Sequence, residues 1–535
     1  MDKILFNGVI KSIDNKDNVY EAVGLKDGRI EFLGTNEEAS KISAKEKIDL
    51  KGRLVLPGFM DTHLHMLYYS ILKENVELRD CTSVEAIIEK GKNFAENNIP
   101  SRGWLLGNGW NQNNFDTEKR LLTKMDLDKI STEYPVLYSR VCEHTAAVNS
   151  LGLEKILSMP EAKELESYID KEAGVLYESA CMLPSKIMSE ISKEAAKEYV
   201  VKGVRDLNQF GITTIHSADF LGLQAHRWQE VLRIFQDLED EGRLNVRIYE
   251  QCMFLDKENL KEFFNCNYKT GDGSPMVKIG PLKLILDGSL GGRTAAMKEP
   301  YADDPNTKGL LNFEYDELWG IVDRAYKEGL QLAIHGIGDK AIEMIIDAYE
   351  AMDKKYSVKD RRNGVVHAQF TNKELLRRMK EGNVLALIQP IFIDDDMQVA
   401  EQRVGKKRME AVYAFKTMRD MGIHTAGGSD APVASFDVLK NIHCAVNSQD
   451  LKSQPEGGWQ PKEKLSVDEA VRLFTIDSAY ASFEEKEKGS LEIGKYADMV
   501  VLDKNIYEIS NDDIINTKVE MTVLNGNIVY EKQVN

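Results

Sequence analysis

The chain has 535 residues, more than one compact core needs, so two or more domains are expected. Its 87 Asp and Glu outnumber 69 Lys and Arg, and the resulting charge of −18 would be repelled by a phosphate backbone, which sets nucleic-acid binding aside. A hydrophobic fraction of 42% suits a soluble globular protein, and no run approaches the roughly 18 consecutive apolar residues of a membrane span.

The opening MDKILFNGVIKSIDNKDNVYE turns polar too soon for the apolar core of a signal peptide. Residues 1–56 then alternate apolar and polar positions between turn signals, and the Asp27–Gly28 pair between two such runs predicts a hairpin. The C-terminal ADMVVLD and VEMTVLNGNIVYE read the same way, with Asn525–Gly526 as a second hairpin turn. The two ends are therefore expected to meet in one small composite β-sandwich domain, residues 1–56 with 485–535.

The middle, 57–484, carries short β-branched runs separated by helical patterns. In order they are LVLPGF (54–59), ITTIH (212–216), VRIYEQ (246–251), LKLIL (282–286), LQLAIH (330–335), GVVHA (364–368), VLALIQ (384–389) and IHTAGG (423–428). Between them YDELWGIVDRAYKEG predicts an amphipathic helix with Leu318, Ile321, Val322 and Ala325 on one face and Gly329 as its stop. Eight strand–helix units in an α/β chain imply a closed (β/α)8 TIM barrel. The first two runs lie about 150 residues apart, so 75–190 is expected to be an inserted lid or substrate subdomain over the barrel mouth.

Six cysteines, Cys81, Cys142, Cys181, Cys252, Cys266 and Cys444, are scattered without a CxxC, as in a reduced, cytoplasmic protein. Of nine histidines, His63, His65, His335 and His367 fall at or just beyond the C-terminal ends of predicted strands, and Asp430 follows the last strand in the same way. That end of a barrel gathers catalytic groups. A His-x-His pair at a strand tip sends both rings to one face, and imidazoles with carboxylates suit Zn²⁺ or another divalent transition metal.

The motifs GFMDTHLH, DGSLGGRTA, IHGIGDKA, VVHAQF and GGSDAPV, with the closing GSLEIGKYADMVVLD, resemble the amidohydrolase superfamily over essentially the whole chain. More narrowly they resemble its amidohydrolase-3 branch, which includes N-substituted formamide deformylases. The resemblance implies that His63 and His65 hold the more buried ion, with His335 and His367 as ligands from strands five and six. Asp430 is implied to be both a ligand and the general base.

Lys283, on strand four, is costly inside a barrel unless its charge is paired or removed. In superfamily members with two ions a strand-four lysine is carboxylated and bridges them; the competing reading is an ion pair with Asp287. Asp61 either orients the ligands or caps a turn.

Arg293 follows a strand end and either clamps substrate or holds its own loop. His144 and Trp110 are expected to bind substrate from the insertion, with Trp104 and Phe115 as further lining or core aromatics. His216, His226, His424 and His443 read as structural.

The activity expected is metal-dependent hydrolysis of a non-peptide carbon–nitrogen bond, an amide or formamide of a small molecule, with two ions and a homodimeric assembly. Alternatives are a single-ion deaminase of a cyclic imine and a non-catalytic binding or regulatory protein that keeps the fold.

Overall fold

The computed structural model describes residues 1–533 apart from 98–101, 117, 143, 224–226 and 359, so His226 lies outside the described residues. The chain divides into two compact units, Met1–Met66 with Val200–Asn535, and Leu67–Tyr199.

In the larger unit eight parallel strands form one sheet in chain order. They are β1 (Phe59–Leu64), β2 (Ile212–Ser217), β3 (Arg247–Met253), β4 (Val277–Ile285), β5 (Leu332–Gly336), β6 (Gly364–His367), β7 (Leu385–Ile388) and β8 (Thr425–Gly427). Helices such as Trp228–Asp240, Tyr315–Glu328 and Asp339–Tyr356 alternate with the strands, which makes the unit a (β/α)8 barrel. Leu318, Val322 and Ala325 are buried on the Tyr315–Glu328 helix, and Gly329 ends it in the left-handed conformation at φ 79°. Ile321 is only half-buried.

The seam between β8 and β1 is closed by individual hydrogen bonds. The Thr62 hydroxyl donates to the Gly427 carbonyl at 2.9 Å, Asp430 N donates to His63 O at 2.7 Å, and His65 N donates to Ala431 O at 2.8 Å. The bonds that shut the barrel thus also hold Asp430 against the His-x-His pair.

One expected strand belongs elsewhere. Leu54–Pro57 pairs with Val9–Ile10 and with Met499–Leu502 in a six-stranded sheet, and the first barrel strand begins at Phe59. Both segments are wholly buried, so hydrophobicity could not separate them. A four-stranded sheet made by the N-terminal segment packs on that six-stranded sheet. Leu5, Val23 and Ile30 from the first meet Val55, Met499, Val501 and Val523 from the second in one core. Both hairpins form. Asp27 and Gly28 sit at φ 49° and 75°, and Asn525 and Gly526 at 49° and 72°, as a two-residue turn with both central residues left-handed requires.

Two buried charged groups of this unit, Arg247 and Glu484, are paired. Arg247, 2% exposed, forks onto Asp498 at 2.7 and 3.2 Å, tying β3 to the C-terminal segment. Glu484 receives both Lys278 and Lys488 at 2.7 Å. Burial opposes its ionisation, but the two ammonium groups outweigh this and hold its carboxyl at about 2.

Because that value is below the ordinary one, its stabilisation is present near neutrality and is lost as pH falls from the usual carboxylate range toward about 2. Glu484→Gln should therefore cost about 3–5 kcal/mol at neutral pH, since it strands buried lysine charge. It should also flatten the acid limb of a Tm-against-pH curve. An unchanged acid limb would show that another group governs acid unfolding.

The smaller unit holds a six-stranded sheet with strands Leu105–Trp110, Val136–Arg140 and Thr145–Val148 at its centre. Here the expectation for Trp110 is corrected. Its side chain is 0% exposed in an apolar core with Phe115 and Tyr138, and its indole N–H donates to Tyr138 O at 3.0 Å. A side chain with no accessible surface and a satisfied polar atom packs the unit instead of touching a ligand. Trp104 and Phe115 are buried in the same way. His144 is exposed, with Nδ1 2.8 Å from Glu178.

Candidate metal centre

The strands deliver the rings from different directions. His63 ends the inward face of β1, His367 is the last residue of β6, and Asp430 follows β8. One ligand atom from each lies within 4.8 Å of the others, the only group of His, Cys, Asp and Glu among the described residues able to share an ion. His63 Nε2 and His65 Nε2 both stand 3.4 Å from Asp430 Oδ1, and His367 Nε2 is 4.0 Å from Oδ2.

The opposite nitrogens are engaged. His63 Nδ1 meets Gln251 Oε1 at 2.7 Å, His367 Nδ1 meets Gln389 Oε1 at 2.7 Å, and His65 Nδ1 meets Ala218 O at 3.1 Å. Each of these oxygens is an acceptor, so each Nδ1 carries the proton and each Nε2 lone pair points to the centre. Burial, with the nearby Lys283 charge, holds His63 well below its usual range. His367 is lowered likewise by burial and by His335. The two lowered, oriented imidazoles of His63 and His367, facing a carboxylate, are donors of the kind a divalent transition ion requires, so the residues fit the metal.

The backbone is bent to make this geometry. His367 and Asp430 sit at φ 77° and 59°, a region that residues other than glycine seldom occupy and that clusters at functional sites.

His335 stands beside this group without joining it. Its ring centroid is 4.4 Å from that of His367, but its Nε2 faces Gly288 O at 3.1 Å and Asp287 Oδ1 at 3.3 Å. Asp287 accepts backbone N–H bonds from Ala296, Ile337 and Gly338. That leaves the competing ion pair unmade: among the described residues no carboxylate reaches Lys283, whose Nζ has only Leu284 O at 3.5 Å. Burial lowers the Lys283 ammonium to about 8 against the pull of Asp430 and Asp287.

Asp61 touches no ring. Its Oδ1 accepts from His63 N and Ser429 N, both at 3.1 Å, so it stitches β1 to the turn that carries Asp430. Arg293 spends its fork on Asp303, at 3.1 and 2.9 Å, and so tethers its own loop. His216 is buried against Tyr249, away from the ligand group.

Gln251 and Gln389 are site residues the motif reading passed over. Each is the last residue of a strand run, VRIYEQ and VLALIQ, and Gln389 is the one polar letter of an otherwise apolar run. Gln251→Leu and Gln389→Leu keep the side-chain size and release one ring each. Either should weaken divalent-metal affinity by about 10–100-fold, read by competition with a chromogenic chelator. Unaltered affinity would remove that glutamine from the orienting role.

Histidines and an aspartate gathered at the strand ends of a (β/α)8 barrel define a metal-dependent hydrolase. Comparison with known proteins agrees. The amidohydrolase family model matches residues 46–530. The "Putative amidohydrolase YtcJ" of Bacillus subtilis is 32% identical, covering 99% of this chain and 100% of that one. An N-substituted formamide deformylase of Arthrobacter pascens is 23% identical, covering 99% of this chain and 98% of its own. The structure of an uncharacterized metal-dependent hydrolase from Pyrococcus horikoshii superposes with a TM-score of 0.79 at 27% identity, over 95% of this chain and 99% of that one. The chain belongs to the amidohydrolase family.

Proposed function

We propose that this protein hydrolyses a non-peptide carbon–nitrogen bond, an amide or formamide of a small molecule. The observation that carries the reading is the convergence of His63, His367 and Asp430 within 4.8 Å, with both ring Nδ1 atoms pinned by glutamines. The resemblance to a formamide deformylase along nearly the full length of both chains supports the bond type.

When bound, zinc or another divalent transition ion supplies Lewis-acid polarisation of the scissile carbonyl and brings the pKa of a water toward neutrality. The residues that would hold it are His63, His65, His367 and Asp430, with His335 and Lys283 completing a two-ion site. Asp430, 9% exposed, faces the centre with both oxygens; it takes a proton from the attacking water and passes it to the departing amine.

Lys283 would serve as a carbamate. Its neutral Nζ would add to the carbon of CO2 and shed a proton, and the resulting anion would offset the mutual repulsion of two cations. A buried lysine without a carboxylate partner supports this role.

Six free cysteines with no disulfide among the described residues support a reducing compartment, the cytoplasm. No helix among the described residues is long and apolar enough to cross a membrane. The test of the activity is a screen of metal-replete protein against N-formyl, N-acyl and cyclic amides, cyclic imines, lactones and phosphotriesters. Turnover of the amides is expected. Turnover confined to imines, lactones or phosphotriesters would overturn the bond assignment.

A further inference from the structure

A cavity of about 320 Å³ opens where the candidate ligands end. Ile337 and Gln369 line it, each two residues past a site histidine, His335 and His367. Phe392, also in its wall, lies parallel to the His367 imidazole with ring centroids 5.8 Å apart. A molecule whose reacting bond is at the centre therefore has this cavity as a place for its remaining atoms, and the volume is at the lower end for small-molecule pockets.

Ile337 and Phe392 make part of its wall apolar, and Asp394, Asp395 and Asp396 also line it. Among the described residues no Lys, Arg or His forms an ion pair with any of the three. Asp394 accepts only the backbone N–H of Leu451 at 2.7 Å, and Asp396 accepts from the Tyr413 hydroxyl and from Gln369 Nε2. Neutral donors leave the negative charge of this wall uncompensated.

A separate observation points the same way. Gln369 is 3% exposed, and its Oε1 is buried without any donor, a costly arrangement unless a ligand supplies one. The three aspartates do not form a metal cage, because their oxygens are not part of any group close enough to share an ion.

Carboxylates without counter-ions beside an apolar floor and an unsatisfied acceptor match an organic cation with N–H donors. We propose that this cavity is the subsite for an ammonium group. The substrate is then an amide that carries a primary amine a few bonds from the scissile carbon–nitrogen bond. The assignment of substrate class rests on the hydrolase reading above; the subsite itself does not.

Two probes of equal length separate the possibilities. One is mono-N-formyl-1,5-diaminopentane, and the other is N-formylhexylamine, in which a methyl replaces the ammonium. Calorimetric Kd and kcat/KM are measured for both on metal-replete protein, for the wild type, Asp395→Asn and the double variant Asp394→Asn/Asp395→Asn. Asn keeps an acceptor for the Leu451 N–H, and exposed Asp395 can be changed alone if the double variant fails to fold.

The wild type should bind the ammonium probe about tenfold more tightly than the hexyl probe, with a preference that shrinks as salt is raised and falls toward one in the variants. Equal or weaker binding of the ammonium probe, no detectable binding of it, or a preference that survives in the variants would overturn the subsite. Ammonium-selective binding without turnover of either probe would uphold the subsite and count against the hydrolase reading. Turnover of both probes without ammonium selectivity would do the reverse.

Discussion

Asp430→Asn should leave the barrel folded and lower kcat by about 10²–10⁴-fold, the usual worth of a positioned acid–base group. Asparagine has the same shape and tolerates the left-handed backbone that Asp430 adopts at φ 59°. The bond from residue 430 N to His63 O is a backbone bond and survives the change, so the β8–β1 seam stays closed. What is lost is the carboxylate that faces His63 and His65 at 3.4 Å, and with it the proton acceptor. Metal content measured on the same sample separates a missing base from a missing ion. A variant with full metal and near-normal kcat would remove Asp430 from the role of base.

Lys283→Ala should change the number of ions. The wild type is expected to hold about two per chain, because Lys283, once carboxylated, would supply the anion that two neighbouring cations need. Alanine cannot carry CO2, so the variant should lose at least one ion and most activity, and bicarbonate should assist reconstitution of the wild type only. Removing a buried amine that lacks a carboxylate partner should cost little stability, which keeps the result readable. One ion in both proteins with unchanged activity would sink the bridged site. Chemistry with a single ion, as in a deaminase of a cyclic imine, would then lead.

The barrel and the His-x-His, His, His and Asp positions were legible because they depend on local rules. Alternation and β-branching mark strands, Asp-Gly and Asn-Gly mark tight turns, and ligands sit at strand ends where the chain leaves the core. Those rules act within about ten residues of one another along the chain, and a single sequence displays them.

They fail where two environments share the same local pattern. LVLP and FMDTHL are both buried and separated by a single glycine, and only their hydrogen-bond partners show that one belongs to the sandwich and the other to the barrel. Trp110 sits in a polar, glycine-rich stretch that reads like pocket lining, yet it fills the core of the smaller unit. Arg293 and Asp303, ten residues apart, satisfy one another, and no spacing rule distinguishes that pair from an arginine left free for a substrate.

The sequence alone therefore determined which residue types could hold a metal and on which strands they ride. Tertiary structure alone decided which of them meet. It set Gln251 behind His63 and Gln389 behind His367, turned His335 toward Gly288, left Lys283 without a carboxylate and stacked Phe392 on the His367 ring. The reason is physical: a ligand's direction and charge are set by atoms up to hundreds of residues away in sequence, such as Gln251 against His63 with 188 between their numbers, and those neighbours exist only once the barrel closes.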